Sequence, residues 1–174
     1  FDKLTHHEHV LRRPDSYVGA TEPVALDGAL VAVGAPDAAC GVRLERRDLA
    51  SFVPALYKIY DEVVVNALDH YANTRSARGA NRMRTLDICV DATTGRVRVT
   101  NGGRGIPIRK LKKHGGVYAV ELIMGHLLTS TNYRDEEERT TGGRNGYGAK
   151  CTNIYSTEFT VETCDGKRVY TQTW

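Results

Sequence analysis

Three polar side chains, Glu62, Asn66 and Asp69, stand at i, i+4 and i+7 inside an apolar-periodic stretch. At 3.6 residues per turn they project from one stripe of a helix. That stripe overlaps the apolar face, so all three point toward the interior or a cleft. Left unpaired there, each costs about 1–3 kcal/mol, and an ionised carboxylate costs more. A carboxylate and an amide four residues apart suit a metal-bound phosphate: the amide oxygen serves Mg2+ and the carboxylate polarises a water. The spacing is also compatible with a solvated helix edge.

Two glycine-rich segments could accompany that chemistry. Asn101-Gly102-Gly103-Arg104-Gly105-Ile106-Pro107 follows an alternating segment directly, and glycine permits close backbone approach to a ligand. An ordinary tight turn accounts for it equally well. Thr141-Gly142-Gly143-Arg144-Asn145-Gly146-Tyr147-Gly148-Ala149-Lys150 is denser. Glycines before a helix start, with a Lys in its first turn, make an anion cradle from free N–H groups and the positive helix end; the alternative is a flexible linker. It is not a P-loop, because Ala149 sits where the Lys must be, nor a dinucleotide fingerprint, because Cys151 follows where Gly is required.

The elements that must hold these residues can be read from the pattern. Thr5-His6-His7-Glu8 fits a capping box, and Arg13-Pro14 closes that first helix. Residues 20–50 read as one or two short strands with loops. Leu56, Ile59, Tyr60, Val63, Ala67 and His70 recur at helical spacing, predicting a helix from Leu56 to Tyr71. Residues 85–90 and 96–100 alternate around Asp91–Gly95, a hairpin. Val117 to Leu128 reads as a second helix, 129–149 as a polar loop, and a third helix opens near Ala149. Residues 158–163 and 167–173 form a closing hairpin around Asp165-Gly166.

Composition bounds the class. With 174 residues the chain is one domain that needs no disulfide or metal staple. The 26% charged and 7% aromatic content is that of a globular chain. No apolar run is long enough to span a bilayer. Phe1-Asp2-Lys3 opens without a basic-then-apolar leader and without Met, so the chain is expected to be a piece of a longer intracellular polypeptide. The net charge of +3 does not by itself mark a nucleic-acid binder, although basic residues cluster at Arg75–Arg84 and at Arg109–Lys113. Cys40, Cys89, Cys151 and Cys164 lack C-x-x-C spacing, which argues against zinc and for a reducing compartment. His6, His7 and His9 read as an exposed helix start.

The helix acid and amide, the Gly turn and the Gly lid, in that order, resemble the Bergerat (GHKL) ATP-binding family of gyrase, Hsp-type chaperones, mismatch-repair proteins and histidine kinases. Within it the chain looks like the eukaryotic-type or viral type II DNA topoisomerases. The carriers are Thr5-x-x-Glu8-His9-x-Leu11-x-Arg13-Pro14-Asp15-x-Tyr17-x-Gly19, Phe52-Val53-Pro54-x-Leu56-Tyr57-Lys58-Ile59-x-Asp61-Glu62, Leu127-Leu128-Thr129-Ser130-Thr131-Asn132-Tyr133, and Thr141 to Lys150. Residues 20–50 and 72–84 carry little of it. The resemblance implies an α+β two-layer sandwich, with a mixed, mostly antiparallel sheet covered on one face by helices. It implies one ATPase domain over 1–174, with an N-terminal arm over about residues 1–20, the domain's last strands expected beyond Trp174, and the transducer absent.

The resemblance also implies roles. Glu62 is the general base for the attacking water, Asn66 holds Mg2+, and Asp69 belongs to the ATP site. Asn101 faces the adenine end, Arg104 stands where the family has Lys, and Ile106 and Ile123 line the adenine pocket or pack the core. Ser130, Thr131 and Asn132 contact sugar, phosphate and base. Gly143, Arg144, Asn145, Gly146, Tyr147, Gly148, Ala149 and Lys150 wrap the phosphates. His70 stands where the family usually has Asn, and Phe1 where the arm carries a Tyr that reaches the partner's nucleotide. ATP and Mg2+ are the implied cofactors. Duplex DNA is the implied substrate of the full enzyme, a second copy of the chain its partner, and the nucleus (or a viral factory or the cytoplasm) its compartment. The alternatives are a chaperone-type or histidine-kinase-type ATPase, or an ATP-dependent dimerisation switch that does not hydrolyse.

Overall fold

The computed structural model describes residues 3–34, 43–127 and 146–174. The first helix, α1 (His6–Arg12), begins with the expected capping box. Thr5 Oγ1 accepts from the Glu8 N–H at 3.2 Å, and the Glu8 carboxylate accepts from the Thr5 N–H at 2.8 Å. A short 3-10 turn at Pro14–Ser16 then turns the chain back. Two ten-residue strands follow, β1 (Val24–Val33) and β2 (Arg43–Phe52), longer than the pattern predicts. Their antiparallel pairing is irregular near Leu26–Ala29, where Gly28 takes φ 66° and gives its N–H to Asp48 Oδ1 at 2.8 Å.

The long helix α2 (Pro54–Thr74) starts two residues before the predicted boundary, with Pro in its first turn where a missing N–H costs nothing. The hairpin β3 (Leu86–Asp91) and β4 (Arg96–Asn101) pairs as expected, Leu86 opposite Asn101 through Asp91 opposite Arg96. Next come the two-residue strands β5 (Lys110–Leu111) and β6 (Val117–Tyr118), and helix α3 (Ala119–Gly125). Val117 to Leu128 is therefore not one helix: its first two residues pair with β5, and α3 stops at Gly125. Helix α4 (Gly148–Tyr155) opens a residue before Ala149, so the loop predicted over 129–149 ends earlier. Strands β7 (Thr160–Cys164) and β8 (Val169–Thr173) close the chain. Among the described residues every strand pairing is antiparallel and joins neighbours in sequence.

The core that matters for the site lies where α1, α2 and α4 meet. Val10 is fully buried and Val18, Ala55 and Cys151 nearly so. Tyr155 donates its hydroxyl to the Val10 carbonyl at 2.7 Å, and Thr152 donates to the Ile59 carbonyl at 2.8 Å, so α4 is pinned to both other helices. Leu56, placed on the apolar face by periodicity, is instead 64% exposed; Ala55 and Ala67 are the buried apolar residues of α2. Among the described residues no helix is long and apolar enough to cross a membrane.

Candidate active site

The site is organised along α2. Glu62 is the point where α2 meets the start of α4. A methyl group added at Gly148, the first residue of α4, would lie 2.0 Å from Glu62 Oε2 and 2.9 Å from its Cδ. The absence of a Cβ here is what lets the carboxylate approach so closely. Lys58, one turn earlier, places Nζ 2.5 Å from Glu62 Oε1. The Glu62 bond raises the Lys58 pKa, with burial opposing it. Glu62 keeps 24% side-chain exposure, so water reaches it. Asn66, the next turn on, is exposed, and Asp69 is half-buried and bonded within the fold.

At the other end of the stripe, His70 meets the Gly turn. Gly103 has φ 92°, and a Cβ there would lie 2.8 Å from the Met83 N, 2.9 Å from its Cα and 3.1 Å from His70 Nε2. The segment is held from below by Gly102 N–H to the Thr85 carbonyl at 3.0 Å and Arg104 N–H to the Asn81 carbonyl at 3.1 Å. Thr74 ties α2 to the same region, donating to the His70 carbonyl at 2.8 Å and accepting from the Met83 N–H at 3.1 Å. His70 Nε2 is buried and makes no hydrogen bond. Burial, and then the charge of Arg104, lower the His70 pKa, which favours the neutral ring.

The helix start at α4 carries no side-chain cap. Gly146, with φ 64°, leads into it, and the Tyr147 ring packs edge-on against Tyr17 at 5.7 Å. Lys150 is only 4% exposed, and burial lowers its pKa to about 8. Its side chain is therefore enclosed by the fold rather than solvated. Cys151 beside it has its thiol pushed up to about 11, first by burial and then by the charge of Glu62.

The structure thus brings Glu62, Lys58 and Gly148 together at one end, and His70, Gly103 and Arg104 at the other, with Asn66 and Asp69 between. Asn101 is exposed and donates its amide to the Gly102 carbonyl at 3.0 Å. The Ile106 N–H donates to Thr163 Oγ1 at 2.9 Å, which fixes it beside β7; Ile123 lies on α3 at 38% exposure. Ala149 is half-buried in the first turn of α4. Ser130, Thr131, Asn132, Gly143, Arg144 and Asn145 lie outside the described residues, as does Phe1. Sequence reasoning missed Lys58 as the partner of Glu62, although the i, i+4 spacing of opposite charges was the available signal.

A helix that carries an acid and an amide on one stripe, closed by an uncapped helix start and a glycine turn, is the plan of one class of nucleotide-binding protein. Residues 53–172 match the family model described as "Histidine kinase-, DNA gyrase B-, and HSP90-like ATPase". The chain belongs to this family. Among relatives it is similar to the DNA topoisomerase 2 of Penicillium chrysogenum, 44% identical over all of this chain and 10% of the relative. It is equally similar to the DNA topoisomerase 2-alpha of Gallus gallus, 44% identical over all of this chain and 10% of that protein. The chain thus spans about a tenth of the length of these relatives. Among solved structures it superposes on the ATPase and transducer domains of DNA topoisomerase II from Balamuthia mandrillaris, with TM-score 0.86, 45% identity, and coverage of all of this chain and 41% of that one. The ATPase region of Saccharomyces cerevisiae topoisomerase II gives TM-score 0.84 at 40% identity, covering all of this chain and 43% of that one. The α+β sandwich class and the family read from the motifs therefore both hold.

Proposed function

We propose that the chain binds Mg-ATP and hydrolyses it as the nucleotide-binding unit of a type II DNA topoisomerase. The observation that carries this reading is the Glu62 carboxylate, held by Lys58 against the first residue of α4 and still open to water. In that position Glu62 takes the proton of a water attacking the terminal phosphorus. Hydrolysis of this kind is mainly positioning and charge stabilisation. The start of α4, which carries no side-chain cap, faces the phosphates, and Lys150 supplies a positive charge from the helix's first turn.

The donor set fits Mg2+. Among the described residues no group of three or more His, Cys, Asp or Glu could hold a metal. Mg2+ in phosphate-transfer sites takes few protein ligands and completes its shell with phosphate oxygens and water. The exposed Asn66 amide oxygen is the protein ligand of this reading, and the ion would supply charge neutralisation for the phosphates.

In the whole enzyme the same reading assigns duplex DNA as the substrate, a homodimeric gate that ATP closes, control of DNA topology as the outcome, and the nucleus as the compartment. Identity of 40–45% to topoisomerase II chains supports it over the chaperone, kinase and switch alternatives. Calorimetry with a non-hydrolysable ATP analogue tests the local part. Heat of binding is expected at millimolar nucleotide with Mg2+, and its absence in a folded sample overturns the reading. Supercoil-dependent turnover by the full-length protein tests the rest.

A further inference from the structure

A second cluster of charge lies on the other side of the Gly turn. Gly103 meets α2, whereas Gly105 meets β7: a Cβ at Gly105 would lie 2.0 Å from the Cys164 carbonyl oxygen. Beside this contact a cavity of about 300 Å3 is lined by Arg104, Arg109, Lys167 and Arg168, with Asp165 as its one acid. The cations come from two segments far apart in sequence, and the contact of Gly105 with Cys164 and the Ile106–Thr163 bond hold those segments together.

Asp165 offsets only one of them. Its Oδ1 accepts the N–H groups of Lys167 at 3.1 Å and Arg168 at 2.9 Å, and its Oδ2 pairs with Arg168 at 3.1 Å. One acid is thus consumed by its own turn and one cation. Among the described residues no carboxylate pairs with Arg104, Arg109 or Lys167. All four cations are exposed.

Exposure decides what kind of anion fits. A solvated cation gains little from one small anion in water. Against a polyanion the same cations act together, because each phosphate neutralised releases condensed counterions. Arginine adds bidentate hydrogen bonding to phosphate oxygens. We infer that the cavity ringed by Arg104, Arg109, Lys167 and Arg168 is a docking point for the phosphodiester backbone of duplex DNA. This rests on the reading of the chain as part of a DNA-transporting enzyme, and it gives the ATPase unit its own contact with that DNA.

The test is fluorescence anisotropy of a short labelled DNA duplex with the chain, in a salt series, using Arg109→Gln/Lys167→Gln. The fold uses the backbones of these two residues, through Arg109 O to Ala119 N and Lys167 N to Asp165, so the variant should stay folded. A thermal melt checks this. The control, Arg96→Gln/Arg98→Gln on β4, removes the same charge elsewhere. The cavity variant should weaken duplex binding and flatten the slope of log Kd against log salt by about 2, and the control should do markedly less. Equal effects in both variants would reduce the cluster to net charge and overturn the inference. So would heat of binding from millimolar inorganic phosphate in a sample that shows no duplex binding, which would make the cavity a free-phosphate site. Heat of ATP-analogue binding, measured on the same samples, separates the two readings. Its retention without duplex binding sinks this inference alone, and its loss with duplex binding retained sinks the nucleotide reading.

Discussion

At Glu62 helix α2 meets its neighbour through a carboxylate, an ammonium and a glycine; two turns further on, at His70, it meets the loop at 101–106 through an imidazole and another glycine. In both places a missing Cβ allows the approach. What lies opposite differs. Gly148 abuts the far end of a side chain, so the contact sets where the Glu62 carboxylate stands. Gly103 abuts the backbone of Met83 at a positive φ, so the contact sets whether the loop can lie against the helix at all. On the proposed reading the first end serves chemistry and the second architecture, and the same substitution should have opposite consequences at the two.

The largest effect belongs to the chemical end. Glu62→Gln keeps the size and one hydrogen bond but cannot take a proton. Turnover of the full-length enzyme should fall about 10²–10⁴-fold while ATP-analogue binding persists by calorimetry. Wild-type turnover in this variant would make the Glu62–Lys58 pair structural and erase the contrast.

At the architectural end, Gly103→Ala forces a left-handed residue, costing about 1–2 kcal/mol, and overlaps backbone that cannot rotate away, costing about 1–3 kcal/mol more. Denaturant unfolding should show a loss of about 2–5 kcal/mol. An unchanged midpoint would show that the loop relaxes freely and is not held by α2.

Gly148→Ala sharpens the comparison. Alanine in a helix is favoured over glycine by about 1 kcal/mol, and φ at Gly148 does not demand glycine. The clash falls on the Glu62 carboxylate, which can swing aside. Stability should therefore hold or rise slightly, while turnover falls roughly 10²-fold from misplacement of the base. A variant that loses stability and activity together would mean that the two ends obey one rule.

These two ends also show what the sequence made legible. The helix carrying Glu62 was readable because six residues recur at helical spacing, and the β3–β4 and β7–β8 hairpins because their alternation is interrupted by turn residues. The β1–β2 pair was not, because Gly28 breaks its register and much of both strands is exposed, so neither shows a clean period of two. The start of the predicted second helix was misread because Val117 and Tyr118 pair with Lys110 and Leu111, a contact that no local pattern announces. In the candidate site, residue types and spacing singled out Glu62 and Asn66. The burial of Lys150 was hidden, since it depends on how α4 lies against α1 and α2.

That burial carries the smallest and most specific expectation. Lys150 stands in the first turn of α4, close to the Glu62 end, with its pKa lowered to about 8, chiefly by burial. An ordinary Lys titrates near 10.5, so between about 8 and 10.5 the unfolded chain holds more protons than the folded one. Stability should therefore rise with pH across that window, and Lys150→Met should flatten the rise. A triphosphate at the start of α4 reverses the balance, because a nearby anion favours the charged amine. At pH 8 Lys150 is about half protonated, so binding of an ATP analogue should draw in up to about half a proton from the buffer. Calorimetry in two buffers of different ionisation enthalpy reads this directly. The uptake should fade by about pH 6.5, where the amine is already charged, and should vanish in Lys150→Met. Buffer-independent heat at pH 8, or the same uptake in the Met variant, would separate Lys150 from the phosphates and leave it a packing residue of α4.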